Sequence, residues 1–528
     1  MELSHIRQKI INFLRDYLLF IFVLVIGLYL WGNVFSLAIE DYMESALWRT
    51  RGVWLGEGSF DLLGFAIHYQ FEGYTDYSFY YIHWGHNMLR GVMPYCEEFG
   101  HIVLDGYENN NGLYIFPPLY AYLYAIGVML PIEGWGIGLL LVSFGFLTAF
   151  PVFGIAKELS ENQVIGAVAA LTYLLNPNIL YHITFAWLNP SPFIFFFFSG
   201  FYMLIKGRKD IGTISIVVAA LFKQMAWFLG IPLVVYLLVK PNKPDQESRQ
   251  NEDSTTTHPE TDPEESAAEI SESKKGLLDF LHQAIDFPGF ARSSVVVIIF
   301  VLAVLFPFLV AQPNILSQIL LAAGGSSLEE PFTEVPGYPI PMTLQVLAVV
   351  AELPLLAEML NFVIYQGILL SFGVVIFMGI MLLEPRPEDD KLYLRRVLFL
   401  TLLLMLFVHL AGPRGVYKYY FTLFAPFFSI FSSQKMITSK DTRINFSSSM
   451  LWVPIALSFS ILIPPREVYL FSVLLIFIGY LAAKQIGAFW SVISYPFRFL
   501  KVKLRVLISH IRQKTGRDII IPKSKSPN

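Results

Sequence analysis

One stretch of an otherwise apolar chain collects polar and ionisable groups, a carboxylate able to move a proton among them. Asp76, Tyr80, His83, Asn87 and Arg90 come first, and Tyr95, Glu97, Glu98 and Asp105 follow. Written as a helix over 76–90, the first five fall at i, i+4, i+7, i+11 and i+14 along one polar face. Tyr77, Tyr81, Trp84 and Met88 form a neighbouring apolar face. Such a helix is expected to lie in a membrane interface with its aromatic side chains toward lipid, and Gly91 ends it. A carboxylate at its start has two uses: to cap the helix, whose dipole favours negative charge there, or to take a proton from a hydroxyl as a general base. His83 is either a hydrogen-bonded structural residue or a substrate contact. Glu97, Glu98 and Asp105 can assist the base, hold a metal or solvate the loop, and solvation is the favoured reading of the three. Cations that suit a phosphate stand far away in sequence. Lys223 occurs in Phe222-Lys223-Gln224, and Arg414 and Lys418 in Gly412-Pro413-Arg414-Gly415-Val416-Tyr417-Lys418-Tyr419-Tyr420. The bland alternative for each is anchoring at the interface; phosphate recognition beside aromatic rings is the sharper one.

The elements that must bring these residues together are membrane helices. Of 528 residues, 55% are hydrophobic and only 15% charged, against roughly 25% charged in soluble domains. With repeated apolar runs of about 20 residues, this gives an all-α polytopic membrane protein. Spans are expected near 17–38, 135–156, 163–181, 191–206, 211–224, 225–240, 293–311, 362–383, 394–411, 419–434, 449–464 and 467–483, about twelve in all, with the first a retained signal anchor. With the N-terminus inside, 30 of the 37 Lys and Arg residues fall on the cytoplasmic side and seven outside. That places both termini in the cytoplasm and the 39–134 loop outside. Four regions follow: an N-terminal membrane module, 1–240; an acidic linker, 241–275, too polar to bury a core; a C-terminal membrane module, 276–484; and a basic tail, 485–528. Two apolar stretches, 117–131 and 343–361, are too short to cross comfortably and are expected to lie at the outer face or to re-enter. The single Cys96 excludes an intrachain disulfide and a cysteine-based zinc site.

The order Asp76-Tyr77, Gly91-x-x-Pro94-Tyr95 and Tyr114-x-Phe116-Pro117-Pro118-Leu119 in the first outer loop resembles the GT-C glycosyltransferases. It is most similar to the branch of the glycosylphosphatidylinositol mannosyltransferase I catalytic subunit and its prokaryotic relatives. The resemblance implies Asp76 as the base and a sugar donor on a polyprenyl or dolichyl phosphate, mannose being the favoured sugar. It implies transfer with inversion on the extracytoplasmic face of a prokaryotic cell membrane, or in the endoplasmic reticulum of a eukaryote. Lys223, Arg414 and Lys418 would meet the lipid phosphate, with His83, Arg90, Tyr95, Glu97, Glu98 and Tyr419 lining the substrate site. The acceptor would be a lipid, glycan or protein, with no nucleic acid among the partners. The chain departs from some relatives in carrying Ser78 where a second loop aspartate would stand. It also has no carboxylate in Thr184–Ser191. Both departures weaken a metal-dependent reading and favour a metal-free mechanism with one main carboxylate; no cofactor is expected, a divalent metal being possible but not favoured. The alternative from another class is a transporter or flippase of lipid-linked sugars. Its expected marks are related halves and charges within the spans, whereas charge here concentrates at the outer ends of the spans.

Overall fold

A computed structural model describes residues 2–44, 54–74, 76–104, 107–110, 114, 116–132, 134–223, 227–239, 285–313, 339–382, 390–412, 416–433, 450–466 and 468–482, with 497 and 501. The expected linker 241–275, Asp105 and Arg414 lie outside the described residues, as do all but Phe497 and Lys501 of the tail 485–528.

The chain is predominantly helical. A helix occupies each of the twelve expected spans, from α1 (Glu2–Glu44) to the last, Tyr469–Ala482. By length and composition, four described helical segments can cross a membrane: Tyr17–Glu44, Gly136–Ser160, Phe287–Ala311 and Asp390–Ala411. The bent pair Gln163–Leu174 and Pro177–Phe185 makes a fifth candidate. The other helices in those places are shorter, such as Trp452–Leu462. The Phe287–Ala311 helix turns Ile299, Phe306 and Val310 outward without a protein partner over most of their surface, as a lipid-facing helix does. Helix Asp390–Ala411 is instead packed through Leu398, Leu400, Leu402 and Leu404, all buried.

The 39–134 segment is built differently from a simple helical cap. Strands β1 (Trp54–Leu62) and β2 (Phe65–Glu72) pair antiparallel around Leu63 and Gly64, both at positive φ. A π-helical turn, Tyr77–Tyr81, then feeds α2 (Ile82–Leu89). A short α3 (Glu97–Gly100) precedes a second hairpin, β3 (His101–Leu104) and β4 (Tyr107–Asn110). Neither hairpin was anticipated by the helical reading. Residues 117–131 form α4 (Leu119–Met129), which packs on α2 and on α5 (Gly136–Leu147). The α4–α5 approach depends on two glycines. A Cβ on Gly136 would lie 2.1 Å from the Gly127 carbonyl oxygen, so any side chain there would push the two backbones apart. Residues 343–361 fall in two short packed helices, Ile340–Val350 and Pro354–Tyr365. The next helix begins at Gly367 rather than near 362.

The expected straight helix over 76–90 is corrected by the π turn. An i→i+5 turn spreads the backbone relative to an α-helix, so the regular polar stripe does not survive. The aromatic residues of the expected lipid-facing side are inside the protein. Tyr81 stacks on Tyr124 with ring centroids 4.7 Å apart, and Trp84 meets Tyr114 edge-on at 5.0 Å. Tyr77 donates to the Gly134 carbonyl at 2.8 Å and accepts from the Gly138 amide at 3.0 Å. These rings carry polar tips that need partners when buried. The start of α5 supplies such partners for Tyr77, while Tyr81 and Trp84 are held by their ring contacts with Tyr124 and Tyr114.

Candidate functional site

Asp76 stands at the entry to the π turn with helical backbone angles, φ −52° and ψ −38°, and its side chain makes no capping hydrogen bond. The capping use of the carboxylate is therefore not the one taken. The side chain is only partly exposed, and burial raises its pKa above the ordinary carboxylate range. Its own backbone N–H and the charge of Lys223 act in the opposite direction. Tyr80, Tyr81, Tyr124 and Tyr419 all lie within reach of the Asp76 charge. The carboxylate thus sits in a cage of tyrosines with one cation.

That cation comes from the end of another helix. The helix Lys209–Phe222 stops one residue short of Lys223, whose backbone is extended. The Lys223 side chain is 3% exposed. Its Nζ donates to Asn189 Oδ1 at 3.3 Å and lies 4.6 Å and 5.0 Å from the ring centroids of Tyr420 and Tyr419. An ammonium between two rings and an amide is held by cation–π attraction, and its charge is felt at Asp76.

Asn189 ties the cage together. Its backbone carbonyl accepts from the Tyr120 hydroxyl, and its side-chain amide points to the Tyr124 hydroxyl at 3.5 Å. Trp187, two residues earlier, is fully buried at φ +52°, a conformation that disfavours a bulky side chain. The ring fills the space left by Gly138, where a Cβ would come within 2.5 Å of it. The strained turn is thus fixed by packing, and it delivers Asn189 to the site. Tyr95 is a second non-glycine residue at positive φ, 76°, with its hydroxyl donating to the Phe116 carbonyl at 2.7 Å. Such strain persists only where the surroundings over-determine the backbone. Behind the cage, the ring of buried His409 lies edge-on to Tyr420 with centroids 6.2 Å apart.

The other anticipated residues divide. Lys418 is 1% exposed, donates to the Pro464 carbonyl at 2.7 Å and lies 5.9 Å from the Tyr469 ring centroid. Tyr419, the next residue, belongs to the Asp76 cage. His83 is partly exposed, and its pKa is lowered by burial first and then by the charges of His86 and Arg90. Arg90 and Glu98 are exposed. Asn87 is a structural residue, donating to the Phe99 carbonyl at 3.1 Å. Glu97 opens α3. Among the described residues, no three His, Cys, Asp or Glu side chains converge as a metal-ligand set. A cavity of about 420 Å³, lined by Ile82, His86, Val128, Pro131 and Ile137 among others, opens beside α2 without including Asp76, Lys223 or Lys418.

No protein-family model matches this chain, and none of the curated proteins is detectably related to it. Two site features were also absent from the sequence reading. Glu72, at the end of β2, is buried and paired with Arg466, with Nε 3.3 Å from Oε1. Asn189 is the hub of the cage. The signal available for Asn189 was the Asn189-Pro190 step between two apolar helices, where a polar side chain has few other partners. Nothing local marked Glu72, which reads as the polar end of an alternating strand.

Taken together, the site offers a carboxylate with a raised pKa, a buried ammonium close enough to act on it, and hydroxyl-bearing rings around both. Such a pocket can remove a proton from a hydroxyl and balance negative charge on a neighbouring group.

Proposed function

We propose that the chain is a membrane glycosyltransferase of the GT-C kind. It moves a hexose, mannose first among the candidates, from a polyprenyl or dolichyl phosphate to an acceptor hydroxyl on the extracytoplasmic face. The observation that carries this reading is that Asp76 and Lys223, 147 residues apart in sequence, come within electrostatic reach of each other among the buried tyrosines that flank the ammonium, with Asp76 not engaged as a cap. The motif order of the first outer loop adds the family likeness. In this reading the protein crosses the membrane about twelve times with both termini in the cytoplasm.

The chemistry follows from the groups present. The acceptor hydroxyl gives its proton to the Asp76 carboxylate, and its oxygen attacks the anomeric carbon opposite the phosphate. The bond from that carbon to the phosphate oxygen breaks with its electron pair on the oxygen. The anomeric centre inverts and a lipid phosphate is released. Lys223 meets the growing negative charge, with Arg414 and Lys418 as the further cations of the outer face. Tyr419 and Tyr420, packed edge to face with centroids 4.5 Å apart, flank Lys223 on the aromatic side of the pocket.

The test is transfer of labelled sugar from a polyprenyl-phosphate donor by the purified full-length protein, beside Asp76→Asn. Wild-type transfer, lost in the variant, is the expected result. If the wild type transfers no sugar from any such donor, yet equilibrates the lipid-linked sugar across sealed vesicles, the reading fails in favour of a flippase.

A further inference from the structure

A second polar cluster lies beside the Asp76 cage, centred on a pair of residues that the proposed chemistry does not use. Its centre is Glu72, whose side chain is 5% exposed at the end of β2. Tyr74 donates to Glu72 Oε2 at 3.0 Å, and Tyr181 donates to the Glu72 backbone carbonyl at 2.5 Å. Burial, followed by the Glu72 charge, raises the Tyr74 pKa well above its ordinary value, so this phenol stays a donor. The other carboxylate oxygen, Oε1, faces Nε of Arg466 at 3.3 Å but makes no hydrogen bond of good geometry. Buried His182, edge-on to Tyr74 with centroids 5.8 Å apart, also leaves its Nε2 without a partner.

The cluster also has a second cation. Lys418 donates to the carbonyl of Pro464, two residues before Arg466, and the Tyr469 hydroxyl donates to the Val416 carbonyl. The loops carrying Lys418 and Arg466 are therefore stitched together. Lys418 also lies near enough to act electrostatically on His182. Unlike Glu72, the Arg466 side chain is 40% exposed. A guanidinium is a planar fork with five donors, and the Nε edge is the one turned to Glu72. A buried carboxylate thus fixes the orientation of a guanidinium that stays 40% exposed, and an oriented, solvent-accessible fork suits an anion. The cage is adjacent, since the Tyr74 and Tyr419 rings are 5.3 Å apart.

We infer that Arg466, oriented by the buried Glu72 carboxylate, is an anion-binding residue of the outer face that takes a phosphate ester, with Glu72 as its positioning residue. The binding claim stands on this geometry, and the identity of the ester as a lipid-linked phosphate rests on the glycosyltransferase reading. Arg466 then joins Lys223 and the other outer-face cations at the phosphate, and Lys223 alone also acts on Asp76.

The experiment measures binding of citronellyl phosphate to the purified full-length protein by titration calorimetry, with citronellol and inorganic phosphate as controls and thermal unfolding in parallel. The wild type should bind the ester, and citronellol should not compete. Arg466→Gln should weaken the ester by about tenfold or more, the scale of a lost charge-assisted hydrogen bond. Arg466→Lys keeps a cation for Glu72 but not the fork, so it should keep the unfolding temperature and still lose most of the affinity. Glu72→Gln should weaken binding less than Arg466→Gln does. Unchanged ester affinity in a folded Arg466→Gln or Arg466→Lys variant overturns the inference and makes the ion pair a structural tie. Inorganic phosphate binding as tightly as the ester overturns the assignment to an ester. The two readings fail separately: Arg466-dependent ester binding without sugar transfer sinks only the transferase, and sugar transfer indifferent to Arg466 sinks only this inference.

Discussion

At the residue scale, the balance between Asp76 and Lys223 makes the site testable by pH. Asp76→Asn keeps the size and removes the base, so turnover should fall by roughly two to four orders of magnitude, the contribution typical of a general base. Its effect on stability should be opposite in sign. A carboxyl group whose pKa is raised on folding binds more protons folded than unfolded. Stability is therefore lost as pH rises from the unfolded value, about 4, through the raised folded one. At neutral pH the asparagine variant should melt no lower than wild type, and a clearly lowered melting temperature would return Asp76 to a structural role. Lys223 pulls the Asp76 pKa down against burial. Lys223→Met should therefore raise that pKa further and move the acid limb of kcat/KM to higher pH in the residual activity. An unmoved limb would separate the two residues.

At the element scale, the site depends on how closely α4 and α5 approach beneath it. Gly136→Ala puts a methyl group against the Gly127 carbonyl, a backbone atom with no rotamer to change. The helices must separate, and Tyr77, which bonds Gly134 and Gly138 at the start of α5, shifts with them. A cost on the scale of core overpacking, about 1–3 kcal/mol, should appear as a lower melting temperature together with reduced turnover. Wild-type values for both would detach this contact from the site. The same elements mark what was legible in the sequence. Hydrophobic runs located a helix at every expected span, because burial in lipid or protein requires an apolar stretch whatever its partners. Lys223 and Tyr419 were visible as polar or aromatic residues at span ends. The π turn at Tyr77–Tyr81 was not visible, since one extra residue in a turn leaves the apolar pattern nearly intact. Buried Tyr77, Tyr81 and Trp84 were read as lipid-facing because a ring beside lipid and a ring beside α4 have the same residue type. Asn189 and Glu72 derive their importance from partners 34 and 394 residues away, Lys223 and Arg466, which no local pattern encodes.

At the scale of the whole molecule, the proposed chemistry requires the Asp76 loop to face away from the cytoplasm, and the chain carries its own reporter of that. Cys96 is the single cysteine of 528 residues. It lies in the 39–134 loop, free and partly exposed, with Sγ 3.0 Å from the Met93 carbonyl oxygen. In sealed right-side-out vesicles, a membrane-impermeant maleimide should label wild-type protein without permeabilisation. Because the thiol is only partly exposed, a second probe guards against slow reaction: Glu98→Cys in a Cys96→Ala background, at an exposed position of the short helix Glu97–Gly100. Ser248→Cys in the same background reports on the acidic segment between the membrane modules, and it should react only after the vesicles are opened. The charge distribution sets this expectation, since cytoplasmic loops retain Lys and Arg and only seven of 37 lie on the proposed outer side. The opposite labelling pattern, with Ser248→Cys reactive from outside and both loop probes protected, would invert the molecule. Asp76, Lys223 and Arg466 would then face the cytoplasm, where nucleotide-activated sugars rather than lipid-linked ones are the common donors, and the polyprenyl-phosphate reading would fall while the geometry of the cage remained.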